Sequence, residues 1–210
     1  MRVVVLGAAG QLGREVVNAL DPRAHTVVAV VRRPPVPAFA STVQVCHADA
    51  RKNAELRATF RQHDVVVNAI GAGTLRRNDV ESSTTAVAVA AAADAGVDRY
   101  LAMSAGMVAL GWPLFKYVLK PLFFRHIVAE HLRVEEIVRA TTLAWTIVRP
   151  PKLTNGLPTG YVASLEPQPQ AFSAARADVA AFIADELGKC EYTRKAVFVA
   201  SRRKASNPTT

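Results

Sequence analysis

Residues 2–13 constrain this chain more than any other stretch. Val3, Val4, Val5 and Leu6 form an apolar run of the length of one buried strand. Gly7, Gly10 and Gly13 follow at the spacing G-x-x-G-x-x-G, and Gln11 to Leu20 reads as a helix. Strand, glycine turn and helix in that order open a parallel α/β unit and form a seat for a dinucleotide. Gly7 permits the tight turn. Gly10 carries no Cβ, so backbone can approach a pyrophosphate, and Gly13 lets the helix pack close to the strand. The phosphates would rest on free N–H groups at the helix N-terminus, with Gly7, Ala9, Gly10, Gln11, Leu12 and Gly13 forming the turn.

A second β-branched run, Thr26 to Val31, ends in Arg32-Arg33. An NAD site places an acid at this point to hold the ribose 2′-hydroxyl. Two arginines suit a 2′-phosphate instead, because a guanidinium can donate two parallel charge-assisted hydrogen bonds to it. The cofactor expected here is therefore NADP(H). Asp49 and Ala50 follow a third strand, Val43 to His47. Asp49 either accepts from the adenine amine or caps the next helix. Ala69, Ile70 and Gly71 end a fourth strand, Asp64 to Ala69, where backbone would line the adenosine and ribose.

Strands and helices alternate along the rest of the chain. Helices are expected over Arg51 to Arg61, Val80 to Ala95, Phe124 to Ala140 and Arg176 to Leu187. Strands are expected over Arg99 to Met103, Ala144 to Arg149 and Ala196 to Ala200. Ser82 or Ser83 could cap the second of these helices, and Gly96 ends it. The pattern is that of a Rossmann-type, doubly wound, mostly parallel sheet with helices on both faces. The 210 residues are 50% hydrophobic, enough for the core of one domain. No stretch of 18 residues lacks both charge and proline, so no transmembrane segment is expected. Met1 leads directly into the first strand, which leaves no room for a leader peptide. Two cysteines, Cys46 in an expected buried strand and Cys190, suit a reducing cytoplasm without a disulfide framework. The net charge of +9 comes without a nucleic-acid recognition motif, so the expected partners are an anionic cofactor and a small-molecule substrate. The sequence leaves the oligomeric state open.

Two stretches interrupt the alternation. Residues 107–123 are apolar and irregular, and residues 150–172 hold five prolines and two glycines. Both follow strand C-terminal ends, where ligands of open α/β sheets bind, so segments at about 105–124 and 150–172 are expected to wall a substrate pocket. Core or dimer packing is an equal alternative for the first.

Several motifs along nearly the whole chain carry a resemblance. Gly7-Ala8-Ala9-Gly10-Gln11-Leu12-Gly13 matches a G-A-T-G-x-T-G turn, with Ala9 and Leu12 in place of threonines. Arg76-Arg77-Asn78-Asp79 with Ser83-Thr84-Thr85 matches R-N-D-x-S-P-T-T. Gly96-Val97-Asp98-Arg99, Met103-Ser104-Ala105, Trp145-Thr146-Ile147-Val148-Arg149-Pro150 and Ala177-Asp178-Val179-Ala180 resemble G-V-D-K, T-S-A, W-T-I-V-R-P and A-D-x-A. On these motifs the chain resembles the atypical short-chain dehydrogenase/reductase group with its NmrA-like NAD(P)H-binding members. Within that group it is most similar to the flavin reductase, or biliverdin-IXβ reductase, family. The resemblance implies a cofactor role for Arg77 and Pro150. It also places His131 where that family has a histidine on its long helix.

Dehydrogenases of alcohols and ketones in this group use a Tyr-x-x-x-Lys pair, in which lysine lowers the tyrosine pKa. Tyr117-Val118-Leu119-Lys120 is one residue short of that spacing, which rotates the lysine by about 100° around a helix. Pro121 also biases Lys120 away from helical geometry. A flavin, quinone or linear tetrapyrrole spreads the charge of an incoming hydride, so stacking against the nicotinamide matters more than a strong acid. The expected function is an NADPH-dependent oxidoreductase that reduces such an acceptor. The alternative is an NmrA-like NADP(H)-sensing regulator without turnover. Ser104, at the end of the fifth strand, could orient the carboxamide or the acceptor, or merely hold a turn. His131 could donate a proton or a hydrogen bond.

Overall fold

The computed structural model describes residues 1–20, 25–71, 79–109, 124–168 and 172–202. Strand β1 (Arg2–Leu6) is followed by α1 (Gln11–Leu20), β2 (Thr26–Val31), β3 (Gln44–His47), α2 (Asn53–Phe60) and β4 (Val65–Asn68). The second half runs α3 (Val80–Asp94), β5 (Arg99–Met103), a 3-10 turn (Gly106–Ala109), α4 (Arg125–Arg139) and β6 (Ala144–Arg149). It ends with β7 (Lys152–Thr154), β8 (Tyr161–Ser164), β9 (Ser173–Ala175), α5 (Arg176–Lys189) and β10 (Lys195–Ser201). The main sheet has eight strands in the order β3-β2-β1-β4-β5-β6-β10-β8. All its pairings are parallel except that of β8 with β10.

Side-chain alternation splits the core into two layers. Val3 and Val5 face α1 and α5, where they join Leu12, Val16, Val17, Phe182 and Ile183. Val4 and Leu6 face the other way, with Leu56, Phe60, Ala88, Ala92, Val138 and Trp145 of α2, α3, α4 and β6. A strand buried on both faces is a continuous apolar run, and residues 3–6 of β1 and 65–67 of β4 are such runs. The chain leaves β1 toward β2 and β3, then crosses to β4 on the other side. That reversal puts a crevice at the C-terminal ends of β1 and β4.

The structure refines several expectations. β3 is the edge strand and mostly exposed, so Cys46 is half-buried rather than part of the interior. Neither Ser82 nor Ser83 caps α3. The N-cap position is Asp79, which makes no side-chain cap bond, and the two serines lie inside the helix. Residues 150–172, expected to be irregular, contain β7 and β8. β7 pairs with β9 in a small separate sheet, and β8 closes the edge of the main one. Asp178 in the first turn of α5 is buried and accepts from the Thr159 and Gly160 amides and the Ser201 hydroxyl. The backbone at Thr159 and Gly160, just before β8, is thus held by hydrogen bonds to a buried carboxylate, which hydrophobic periodicity does not signal. No helix among the described residues is long and apolar enough to cross a membrane.

Candidate functional site

The glycine turn sits in the crevice. Gly7 has φ +74°, in the region that favours glycine, and a Cβ there would come within 2.9 Å of the Ile70 nitrogen at the end of β4. A Cβ on Gly13 would stand 2.1 Å from the Gly7 carbonyl oxygen. Gly13 therefore serves the contact between α1 and the turn. Gly10 differs, because a Cβ there would meet only the Gly7 oxygen, at 3.1 Å, and otherwise open space. Its amide donates to the Gly7 carbonyl at 2.9 Å and its carbonyl accepts from Arg14 at 3.0 Å. This open side of the turn, at the N-terminal end of α1, fits the diphosphate of a dinucleotide. Ala9, Gly10 and Gln11 are exposed there, while Leu12 is buried and fastens α1 to the core.

The neighbouring strand ends place the other expected contacts. Ala8 donates to the Val30 carbonyl and Ala69 to that of Leu6, which draws the ends of β2, β1 and β4 together. Arg32 and Arg33 leave β2 exposed. Ala69 is buried, Ile70 and Ala50 are half-buried and Gly71 is exposed. The Asp49 side chain accepts from the Arg51 amide at 3.0 Å, and its own amide donates to Glu55. Asp49 therefore forms a turn before α2, whose N-cap is Lys52. The Asn68 amide donates to Tyr100 and Thr85, and its oxygen receives the Ile70 amide, so the end of β4 is held in place. Arg76, Arg77, Asn78, Tyr117 and Lys120 lie outside the described residues.

β5 and β6 are joined at the same edge. The Ser104 amide donates to the Val148 carbonyl at 2.8 Å and the Gly106 amide to that of Pro150 at 2.7 Å. The Ser104 hydroxyl donates to Glu135 Oε1 at 2.8 Å. Glu135 is wholly buried and receives two further bonds from Arg149, Nε to Oε1 at 2.8 Å and Nη2 to Oε2 at 2.6 Å. Arg139 adds a third cationic contact at 2.8 Å. Burial pushes the Glu135 carboxyl up, but the bonds from Arg149 and Ser104 and the charges of Arg149 and Arg139 outweigh it and hold it below its ordinary range. Its stabilising contribution is complete above the ordinary value of 4.5 and is lost as pH falls toward the depressed value. Glu135→Gln is expected to lower stability at neutral pH and to flatten the acid loss, read by denaturant titration at both ends of that window.

One turn before Glu135, His131 Nδ1 lies 3.1 Å from Glu81 Oε2 in the first turn of α3. The next residue of α3, Ser82, gives its amide and hydroxyl to the buried Glu130 of α4. A helix preceding a parallel strand runs opposite to it, so the N-terminal turns of α4 point to the crevice. Ser104 thus contacts α4 at Glu135, one turn beyond His131, which itself pairs with α3.

These features match known proteins. An NAD(P)H-binding family model covers residues 7–189. The chain belongs to the NAD(P)H-binding family. It is 30% identical over 188 residues to the uncharacterized sugar epimerase YhfK of Bacillus subtilis, spanning 86% of this chain and 85% of that one. Among solved structures, the oxidoreductase ylbE of Lactococcus lactis superposes with a TM-score of 0.85 at 20% identity, over 98% of this chain and 93% of that one. SP1627 of Streptococcus pneumoniae TIGR4, titled a "putative NADH-flavin reductase", gives 0.80 at 21%, over 96% and 100%. These likenesses show a Rossmann fold, and the family model shows that the cofactor is NAD(P)H.

For an NAD(P)H-binding protein, the tyrosines bear on the chemistry. Tyr100 is fully buried and its hydroxyl is engaged by Asn68. Burial pushes its phenol far above the ordinary value, so it is no acid or base at neutral pH. The Tyr161 hydroxyl donates to Asp185, away from the crevice. Sequence reasoning missed Glu135 as the partner of Ser104 and Arg149 as the partner of Glu135. The signal was present, since Glu135 lies on the helical stripe of Val128, Val134 and Val138. A charged residue on an apolar stripe marks a buried pair.

Proposed function

We propose that this protein is an NADPH-dependent reductase that passes hydride to a flat conjugated acceptor: a flavin, quinone or linear tetrapyrrole. The observation that carries the reading is the Ser104–Glu135–Arg149 cluster at the end of β5 and β6. Reduction of an isolated ketone needs a donor to the forming alkoxide. Here the serine proton goes to a buried carboxylate, and Tyr100 is sealed in the core. A conjugated acceptor delocalises the added charge and takes its proton from water or from His131. The segments at about 105–124 and 150–172, of which residues 110–123 and 169–171 lie outside the described residues, would wall the acceptor's pocket, within one NAD(P)-binding unit covering the chain. The bound cofactor supplies the hydride. The protein's part is to hold the dinucleotide at Gly7, Gly10 and Gln11, grip a 2′-phosphate with Arg32 and Arg33, and hold the acceptor against the nicotinamide. The description of SP1627 as an NADH-flavin reductase shares the flavin acceptor with this reading, but not the NADPH preference.

NADPH is expected to bind at least about ten times more tightly than NADH, or roughly 1.4 kcal/mol. Arg32→Ala with Arg33→Ala should abolish that preference and leave NADH affinity nearly unchanged. Equal affinities in the unmodified protein, by isothermal titration, would refute the arginine grip.

The decisive assay is steady NADPH oxidation with flavins, quinones and biliverdin in turn. Turnover with one of them is expected. Ser104→Ala and His131→Ala should each slow it by about 10–100-fold, and Tyr117→Phe should do little. Tight NADPH binding without oxidation by any acceptor would instead favour a redox-sensing regulator. A collapse confined to Tyr117→Phe, with cofactor affinity intact, would favour a carbonyl reductase.

A further inference from the structure

The Ser104 hydroxyl has one proton and two lone pairs, and its direction is settled by its partner. An ionised carboxylate has no proton to give, so Ser104 must donate to Glu135. Two bonds from Arg149 and the contact with Arg139 keep Glu135 ionised. Arg149 is held in turn over the Phe198 ring at 5.3 Å. The Ser104 amide is spent on Val148, so what this residue, at the C-terminal end of β5, can still offer a ligand is lone pairs only. It is 6% exposed. In a doubly wound sheet, a dinucleotide whose diphosphate lies at the end of β1 extends its nicotinamide half toward β4, β5 and β6. The nicotinamide ring carries a carboxamide with two N–H donors.

We propose that the buried Glu135–Arg149 pair makes Ser104 an obligate hydrogen-bond acceptor for the carboxamide N–H of the nicotinamide. Ser104 then sets which way the ring is turned, and Glu135 and Arg149 are positioning residues that act through it. This assigns Ser104 to the cofactor rather than to the hydride acceptor. It rests on the dinucleotide placement above but not on the reductase chemistry.

The test is binding, so it needs no acceptor. Isothermal titration compares NADP⁺ with its 3-acetylpyridine analogue, in which a methyl group replaces the carboxamide NH₂. The unmodified protein should bind NADP⁺ about tenfold more tightly. Ser104→Ala should bring NADP⁺ down to the analogue's affinity and leave the analogue unchanged. In Glu135→Gln the new amide can donate to Ser104 and release the serine proton toward the analogue's carbonyl, so the ratio should shrink. Equal affinities in the unmodified protein, an undiminished ratio in Ser104→Ala, or an unchanged ratio in a folded Glu135→Gln would each overturn the proposal. If Glu135→Gln does not fold, Ser104→Ala decides alone. An absence of turnover with every acceptor would refute the reductase reading while leaving this ratio readable.

Discussion

Gly10→Val is expected to abolish NAD(P)H binding in a protein that still folds, whereas Gly13→Ala, three residues away, is expected to destabilise the fold itself. The surroundings of the two glycines differ as their places in the motif imply. A Cβ at position 10 meets one atom, the Gly7 oxygen at 3.1 Å, and then the open side of the turn. A valine there fills the space a diphosphate needs without displacing the sheet. The loss should be about 100-fold or more, roughly 2.8 kcal/mol. A Cβ at position 13 meets the Gly7 oxygen at 2.1 Å, the Gly7 carbonyl carbon at 2.7 Å and the Ala8 Cα at 2.8 Å. All three are backbone atoms, so no side chain can rotate away. Overpacking of this kind costs about 1–3 kcal/mol, or more where nothing yields. Titration with NADP⁺ and a thermal melt on both variants separate the two effects. Retained binding in Gly10→Val would mean that the turn is structural only.

Glu186→Ala is expected to be among the most destabilising single changes in the chain. Glu186 near the end of α5 is buried and paired with Arg99 at the start of β5, itself 6% exposed. It also accepts from the Glu191 and Tyr192 amides. Arg99 reaches the Glu186 and Leu187 carbonyls and the Cys190 sulfur. The pair thus closes the C-terminal end of α5 onto the sheet, at the edge opposite the dinucleotide turn. Removing the carboxylate leaves a guanidinium buried without its counter-charge, at a cost of about 3–5 kcal/mol. Replacing both partners by apolar residues, Arg99→Met with Glu186→Leu, should recover most of that loss, because no unpaired charge is left. Urea unfolding of the three proteins measures both effects, and NADP⁺ affinity in the folded fraction should not change. A loss below about 1 kcal/mol in Glu186→Ala would show that the pair acts as an exposed one does.

The glycine turn was legible because its geometry is local. Gly7 to Gly13 form one turn at the end of β1, and the groups proposed to seat the diphosphate lie within a few residues of one another. Arg32 and Arg33 are read from the end of β2, where the parallel pattern directs the chain to the same edge. Continuous valines in β1 and β4 declare burial on both faces. The strands inside residues 150–172 were not legible, because β7 and β8 are short and depend on partners farther along the chain, on β9, on β10 and on the Asp178 carboxylate. The state of Ser104 was equally hidden. Position alone placed it at the end of β5, but whether its hydroxyl gives or receives a proton depends on Glu135, 31 residues later, and on Arg149, on another strand. Sequence by itself determined the periodic elements, the glycine turn and the class of cofactor, since those follow from neighbours in the chain. Tertiary structure alone decided which buried charges meet and which hydroxyl they orient, because hydrogen-bond direction depends on partners that only the folded sheet brings within reach.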